Sequence, residues 1–243
     1  MAGKFQTALR LVYPPRCLGC GGLVEREFGL CAECWRNTAF IGGLVCDLCG
    51  VPLPGEAAPD EAVHCDDCMR IARPWARGRA ALLYRDTGRR LVLALKHGDR
   101  QDVAQPAAGW MARAAAPILT PDMLIAPVPL HWTRMLRRRY NQSALLSAAV
   151  AKSTGLAHCP DLLTRHRRTR SLDGAGRDMR FATLDGAIRV TRGRRHRLVA
   201  RDVLIVDDVM TSGATLAACA EACLAAGAGR VFVLILARVA KDT

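Results

Sequence analysis

Two neighbouring carboxylates stand directly ahead of a hydroxyl-rich turn in Val203–Thr215, VLIVDDVMTSGAT. Asp207 and Asp208 can accept hydrogen bonds from vicinal sugar hydroxyls, directly or through a bound divalent cation. Thr211, Ser212, Gly213, Ala214 and Thr215 offer backbone N–H groups, hydroxyls and a helix N-terminus, the combination that cradles a phosphate. Paired acids ahead of an anion cradle suit a ribose phosphate. A plain strand–turn–helix with an acidic N-cap explains neither the paired acids nor the hydroxyls.

The element that must present these groups is a strand. Val203, Leu204, Ile205 and Val206 form a continuous apolar run, as expected of a strand covered on both faces in a parallel sheet. The acids then emerge at its carboxyl end, where open α/β sheets place ligands, and a helix begins near Ala214. All thirteen positions resemble the phosphoribosyl-pyrophosphate (PRPP) motif of type I phosphoribosyltransferases.

A second chemistry lies in four CxxC pairs: Cys17/Cys20, Cys31/Cys34, Cys46/Cys49 and Cys65/Cys68, separated by ten, eleven and fifteen residues. Gly19, Gly21, Gly22 and Gly50 flank them, where tight knuckle turns favour glycine. Eight thiolates in four pairs supply two tetrahedral four-cysteine sites, and all-sulfur tetrahedral ligation points to zinc ahead of disulfides or an iron–sulfur cluster. Sequential pairing makes two small ribbons, and the spacing is compatible with a crossed arrangement as well. The metal is structural in either case, because a segment so poor in large apolar residues needs a staple. His64 adjoins Cys65 but is expected to be an exposed neighbour.

Phe5–Tyr13 reads as a short amphipathic helix stopped by Pro14-Pro15. Arg73-Pro74-Trp75 marks a boundary between a double-ribbon domain over 1–72 and a sheet domain over 73–243. Within the latter, Ala80–Tyr84 and Met123–Val128 read as strands, and Thr87–Lys96, Val103–Leu119 and Ser143–Ser153 as helices, with Trp110 in the core. Gly98 is the expected C-cap of the first helix, and Lys96 beside it suits a pyrophosphate. Leu216, Cys219, Ala220, Cys223 and Leu224 make an apolar helix face, and Val231–Ala237 a final buried strand. Cys159, Cys219 and Cys223 are expected to be small buried hydrophobes. Strand–helix alternation from about residue 78 fits a mostly parallel α/β sheet.

PVPLHWTRMLRRRYNQ, Pro127–Gln142, resembles the signature of the ComF family of competence-associated proteins, in which a zinc-ribbon module precedes a phosphoribosyltransferase domain. The CxxC array, Lys96-His97-Gly98-Asp99, Pro127–Gln142 and Val203–Thr215 follow the order of that family, so the resemblance spans essentially the whole chain. It departs at Arg139-Tyr140, where the family usually has Gly, and after Thr169, where the family commonly carries a Gln and an Asn. The resemblance implies PRPP with Mg²⁺ as ligand and a link to natural transformation. Asp207 and Asp208 would then hold the ribose hydroxyls, Thr211–Thr215 the 5′-phosphate, and Lys96, Arg134 and Arg137 the pyrophosphate. His131 is a candidate general base or a hydrogen-bonded structural histidine.

The net charge of +13 comes largely from Arg, clustered at 134–139, 165–170 and 189–201, and attracts polyanions. No regular aromatic interleaving marks a stacking platform. No apolar run reaches the roughly 20 residues of a membrane helix, and Met1–Cys17 lacks a signal-peptide core, so a cytoplasmic location is expected. The resemblance implies, as a first reading, an active phosphoribosyltransferase with an unidentified acceptor. The residues also leave open a single-stranded-DNA binder whose PRPP site is non-catalytic, and an adaptor that docks proteins of the DNA-uptake machinery.

Overall fold

The computed structural model describes residues 13–58, 61–97, 100–130, 140–166 and 186–240. The expected helix at Phe5–Tyr13 (Tyr13 apart), the Gly98 cap, His131, Arg134 and Arg137, and the Arg167–Arg170 cluster lie outside those residues. At the centre is a five-stranded sheet of β1 (Arg77–Leu83), β2 (Leu124–Pro127), β3 (Ala157–His158), β6 (Val203–Met210) and β7 (Val231–Arg238). The order is β1-β7-β6-β2-β3 and every pairing is parallel. β4 (Leu163–Arg165) and β5 (Ile188–Val190) form a separate antiparallel ribbon.

The sheet is buried on both faces, and strand alternation divides its side chains between two cores. Ile125, Leu204, Val206, Phe232, Leu234 and Leu236 face α3 (Asp86–His97), α4 (Ala104–Ala115) and α5 (Gln142–Thr154). Leu124, Ala126, Val203, Ile205, Val233 and Ile235 face α6 (Ala214–Ala225) and the β4–β5 ribbon. The region between Val103 and Leu119 is helical as the sequence implies, as a short 3-10 turn, α4 and a second 3-10 turn. Cys159, Cys219 and Cys223 are buried, as small apolar side chains of this interior.

Three details differ from the sequence reading. Leu224, expected on the apolar face of α6, is exposed, because it lies just off the arc that Leu216, Cys219, Ala220 and Cys223 bury. Trp110 is only half-buried, because it lies at the margin of the helical face, where Phe40 meets it edge-on with ring centroids 5.3 Å apart. Each cysteine quartet also contains a one-turn helix, α1 (Ala32–Arg36) and α2 (Asp66–Arg70), too short to leave a periodic signal.

The two ribbons sit astride the exposed edge of the sheet. The linker between them runs antiparallel to β1: Ile41 N–H donates to Ala81 C=O and Leu83 N–H to Ala39 C=O, each at 2.9 Å. Leu18 of the first ribbon, with Leu30 and Phe40, joins the helical core. Cys46, Cys49 and Cys68 of the second join the α6 core, with Ile41, Leu48 and Val51. The edge strand is thereby covered, which removes a site for unwanted strand pairing. Contacts across the expected boundary at 72/73 are close: a Cβ at Gly78 would stand 2.4 Å from Leu48 O, so only glycine admits the Cys46–Cys49 knuckle there.

Candidate functional site

The first site is metal-binding. Cys17, Cys20, Cys31 and Cys34 form one quartet and Cys46, Cys49, Cys65 and Cys68 the other, the sulfurs of each within 4.8 Å of one another. Pairing is therefore sequential. Tetrahedral zinc with Zn–S bonds of ~2.3 Å spaces its sulfurs ~3.8 Å apart. Cys20 and Cys31 sulfurs lie 3.8 Å apart, and Cys49 and Cys65 sulfurs 3.6 Å. Backbone N–H groups also point at sulfur: Cys31 N and Gly19 N donate to Cys17 Sγ at 3.2 and 3.4 Å. Burial opposes ionisation of Cys17, yet these donors bring its thiol down to about 6. The residues present fit zinc, and the protein has two four-cysteine zinc sites. Of the four flanking glycines, Gly21 and Gly50 take positive φ. His64 is exposed and belongs to neither quartet.

The second site lies along the carboxyl half of β6. The strand continues through both acids to Met210, paired to β7 as far as Met210–Arg238, so Asp207 and Asp208 are strand residues and not loop residues. Two helices reach them. Asn141 caps α5 by accepting from Ser143 N–H, and its amide donates to Val128 C=O, which ties the helix start to the end of β2. Ser143 Oγ then donates to Asp207 Oδ1 at 2.8 Å. From α3, Lys96 Nζ meets Asp208 Oδ2 at 3.1 Å, both side chains largely buried.

These neighbours make the two acids unequal. Enclosure first, and the Asp208 charge second, push the Asp207 carboxyl up to about 7, against the pull of Ser143 and Lys96. At neutral pH the Asp207 carboxyl can therefore hold or give up a proton.

After β6, Gly213 turns the chain at φ +84° and α6 starts at Ala214. A Cβ at Gly213 would stand 2.8 Å from the Arg73 guanidinium and 2.7 Å from Met210 Cε. Thr211, Ser212, Gly213, Ala214 and Thr215 thus form a tight turn into a helix N-terminus, separated from the acids by Val209 and Met210. Lys96, which the sequence reading assigns to pyrophosphate, pairs with Asp208. Sequence reasoning missed Ser143 and Asn141; the available signal was an N-cap asparagine opening the apolar run at Ala144.

A parallel sheet carrying paired acids and a tight glycine turn at the end of its central strand, clamped by two four-cysteine units, defines a class: a phosphoribosyltransferase-fold protein with an N-terminal double zinc ribbon. Residues 8–69 match the double zinc ribbon domain family. The chain is 31% identical over 235 residues to the DNA utilization protein YhgH of Salmonella typhimurium, covering 94% of this chain and 99% of that one. It is 26% identical to Competence protein F of Haemophilus influenzae, covering 83% of this chain and 87% of the relative. Among solved structures, the allosteric regulatory enzyme of purine biosynthesis aligns at 18% identity and a TM-score of 0.39, over 59% of this chain and 30% of that one. The chain belongs to the ComF family, with YhgH and Competence protein F among its relatives. Among the described residues no helix is long and apolar enough to cross a membrane.

Proposed function

We propose that the chain binds Mg²⁺–PRPP at the Asp207–Thr215 site and serves DNA utilisation of the kind its relatives are named for. The observation that carries the reading is the placement of Asp207, Asp208, Ser143 and Lys96 together at the end of β6, immediately ahead of the Gly213 turn. In this reading the two carboxylates take the ribose hydroxyls, partly through Mg²⁺. Thr211, Ser212, Gly213, Ala214 and Thr215 take the 5′-phosphate, and Lys96 exchanges Asp208 for pyrophosphate, joined by Arg134 and Arg137. Mg²⁺ is expected through phosphate oxygens and few carboxylates. Phosphoribosyl transfer would displace pyrophosphate from the anomeric carbon, a reaction that rests on positioning and charge stabilisation.

The test is a calorimetric titration of Mg²⁺–PRPP into zinc-loaded wild type and Asp207→Asn/Asp208→Asn. Binding by the first and none by the second is expected; no binding by the wild type defeats the reading. A second reading, DNA binding with a non-catalytic PRPP site, draws on the exposed 3-10 segment Arg192–Arg197, where Arg192 and His196 face solvent. Its mark would be single-strand affinity that falls steeply with added salt.

A further inference from the structure

The second four-cysteine unit shares a core cluster with Met210 and Ala214, which flank the anion turn, and two arginines hold the carbonyls of that turn. Arg73 Nη1 donates to Ser212 C=O at 2.7 Å. Arg238, only 4% exposed, donates through Nη1 to Thr211 C=O at 2.9 Å and Met210 C=O at 3.2 Å. The peptide bonds here are trans. In a trans peptide the C=O and the following N–H point to opposite sides. Drawing the carbonyls of Met210, Thr211 and Ser212 toward the arginines therefore turns the N–H groups of Thr211, Ser212 and Gly213 the other way, as an anion nest requires.

Arg73 is tied to the metal unit through Trp75, its guanidinium carbon 5.3 Å from the ring centroid. Trp75 adds a rigid strut: its indole N–H donates to Leu48 C=O inside the Cys46–Cys49 knuckle at 2.6 Å, and its ring edge would stand 3.3 Å from a Cβ at Gly213.

We propose that the second four-cysteine unit sets the geometry of the anion turn through the positioning residues Trp75 and Arg73, so that metal occupancy there and ribose-phosphate binding promote one another. This rests on the PRPP-site reading above. Losing the metal frees the Cys46–Cys49 knuckle that Trp75 grips, and Trp75 and Arg73 then release the Gly213 turn. Linkage makes the effect reciprocal.

The experiment is a zinc competition titration of the full chain against a chromophoric chelator, with and without saturating Mg²⁺–PRPP, alongside calorimetry of PRPP and ribose 5-phosphate. One of the two zinc sites should tighten about tenfold with PRPP while the other is unchanged. Any zinc captured by PRPP itself would act in the opposite direction. Arg73→Met, assayed with two zinc ions bound, should weaken both ligands about tenfold and lose the zinc effect, and Arg73→Lys should recover part of each. PRPP that binds in calorimetry but leaves both zinc affinities unchanged overturns the coupling, and so does wild-type ligand affinity in zinc-replete Arg73→Met. Absence of PRPP binding by the zinc-loaded wild type overturns instead the site reading on which the coupling depends. Should Arg73→Met fail to fold, the wild-type comparison decides alone.

Discussion

Asp207→Asn tests the electrostatics of the site without any ligand. Enclosure and the adjacent Asp208 raise the Asp207 carboxyl from 3.8 to about 7. Three pH units at ~1.36 kcal/mol each give an upper bound of about 4 kcal/mol for keeping that carboxylate ionised in the fold. Part of the shift belongs to the pair, so about 2–4 kcal/mol is expected. The unfolded chain loses this proton near 3.8 and the folded chain near 7. Between those values the folded state binds more protons, so stability falls as pH rises and the full penalty stands above 7. Asparagine cannot ionise, yet its amide oxygen still accepts from Ser143 and from Asp208 N–H, which meet Asp207 at 2.8 and 2.9 Å. The variant should therefore be more stable than wild type at pH ~8, with Tm higher by roughly 5–15 °C, and the gap should narrow by more than half at pH ~5. Calorimetric scans of both proteins with equal zinc loading measure the difference, in which the pH dependence of the zinc sites cancels. A variant less stable than wild type at pH ~8, or a gap that does not change between the two pH values, would refute the reasoning.

Lys96→Met leaves the Asp208 carboxylate, whose side chain is 10% exposed, without its cation; it should cost about 3–5 kcal/mol in denaturant unfolding, and Asp208→Asn in the same background should restore most of it. Zinc removal should lower the stability of the whole chain in one transition. The sequence alone, with its composition break at Arg73-Pro74-Trp75, suggests instead that residues 14–70 unfold while the sheet survives. Packing argues otherwise, because Cys46, Cys49 and Cys68 lie in the α6 core and Ala39–Ile41 pair with β1; hydrogen exchange of β1 and β7 amides with and without chelator separates the two outcomes.

Much of this protein is legible in its sequence, for reasons local to each segment. A four-residue apolar run such as Val203–Val206 can be satisfied only between two covered faces, so the strand and its parallel sheet follow from it. Four CxxC pairs can close on metal with few geometries, and the shorter loops of sequential pairing are the ones formed. Asp207 and Asp208 announce themselves by type and spacing ahead of Thr211–Thr215.

Which partner each acid takes was decided only in three dimensions. Ser143 is 64 residues from the Asp207 it bonds, and Arg73 is 139 residues from Ser212. No periodicity or propensity encodes such pairs, since they arise where separate elements converge at the end of the sheet. The straddling of β1 by the two ribbons has the same origin. Each ribbon reads in sequence as a self-sufficient metal-stapled unit. Its few apolar side chains, Leu18 on one face and Leu48 on the other, find cover only against the edge of the sheet.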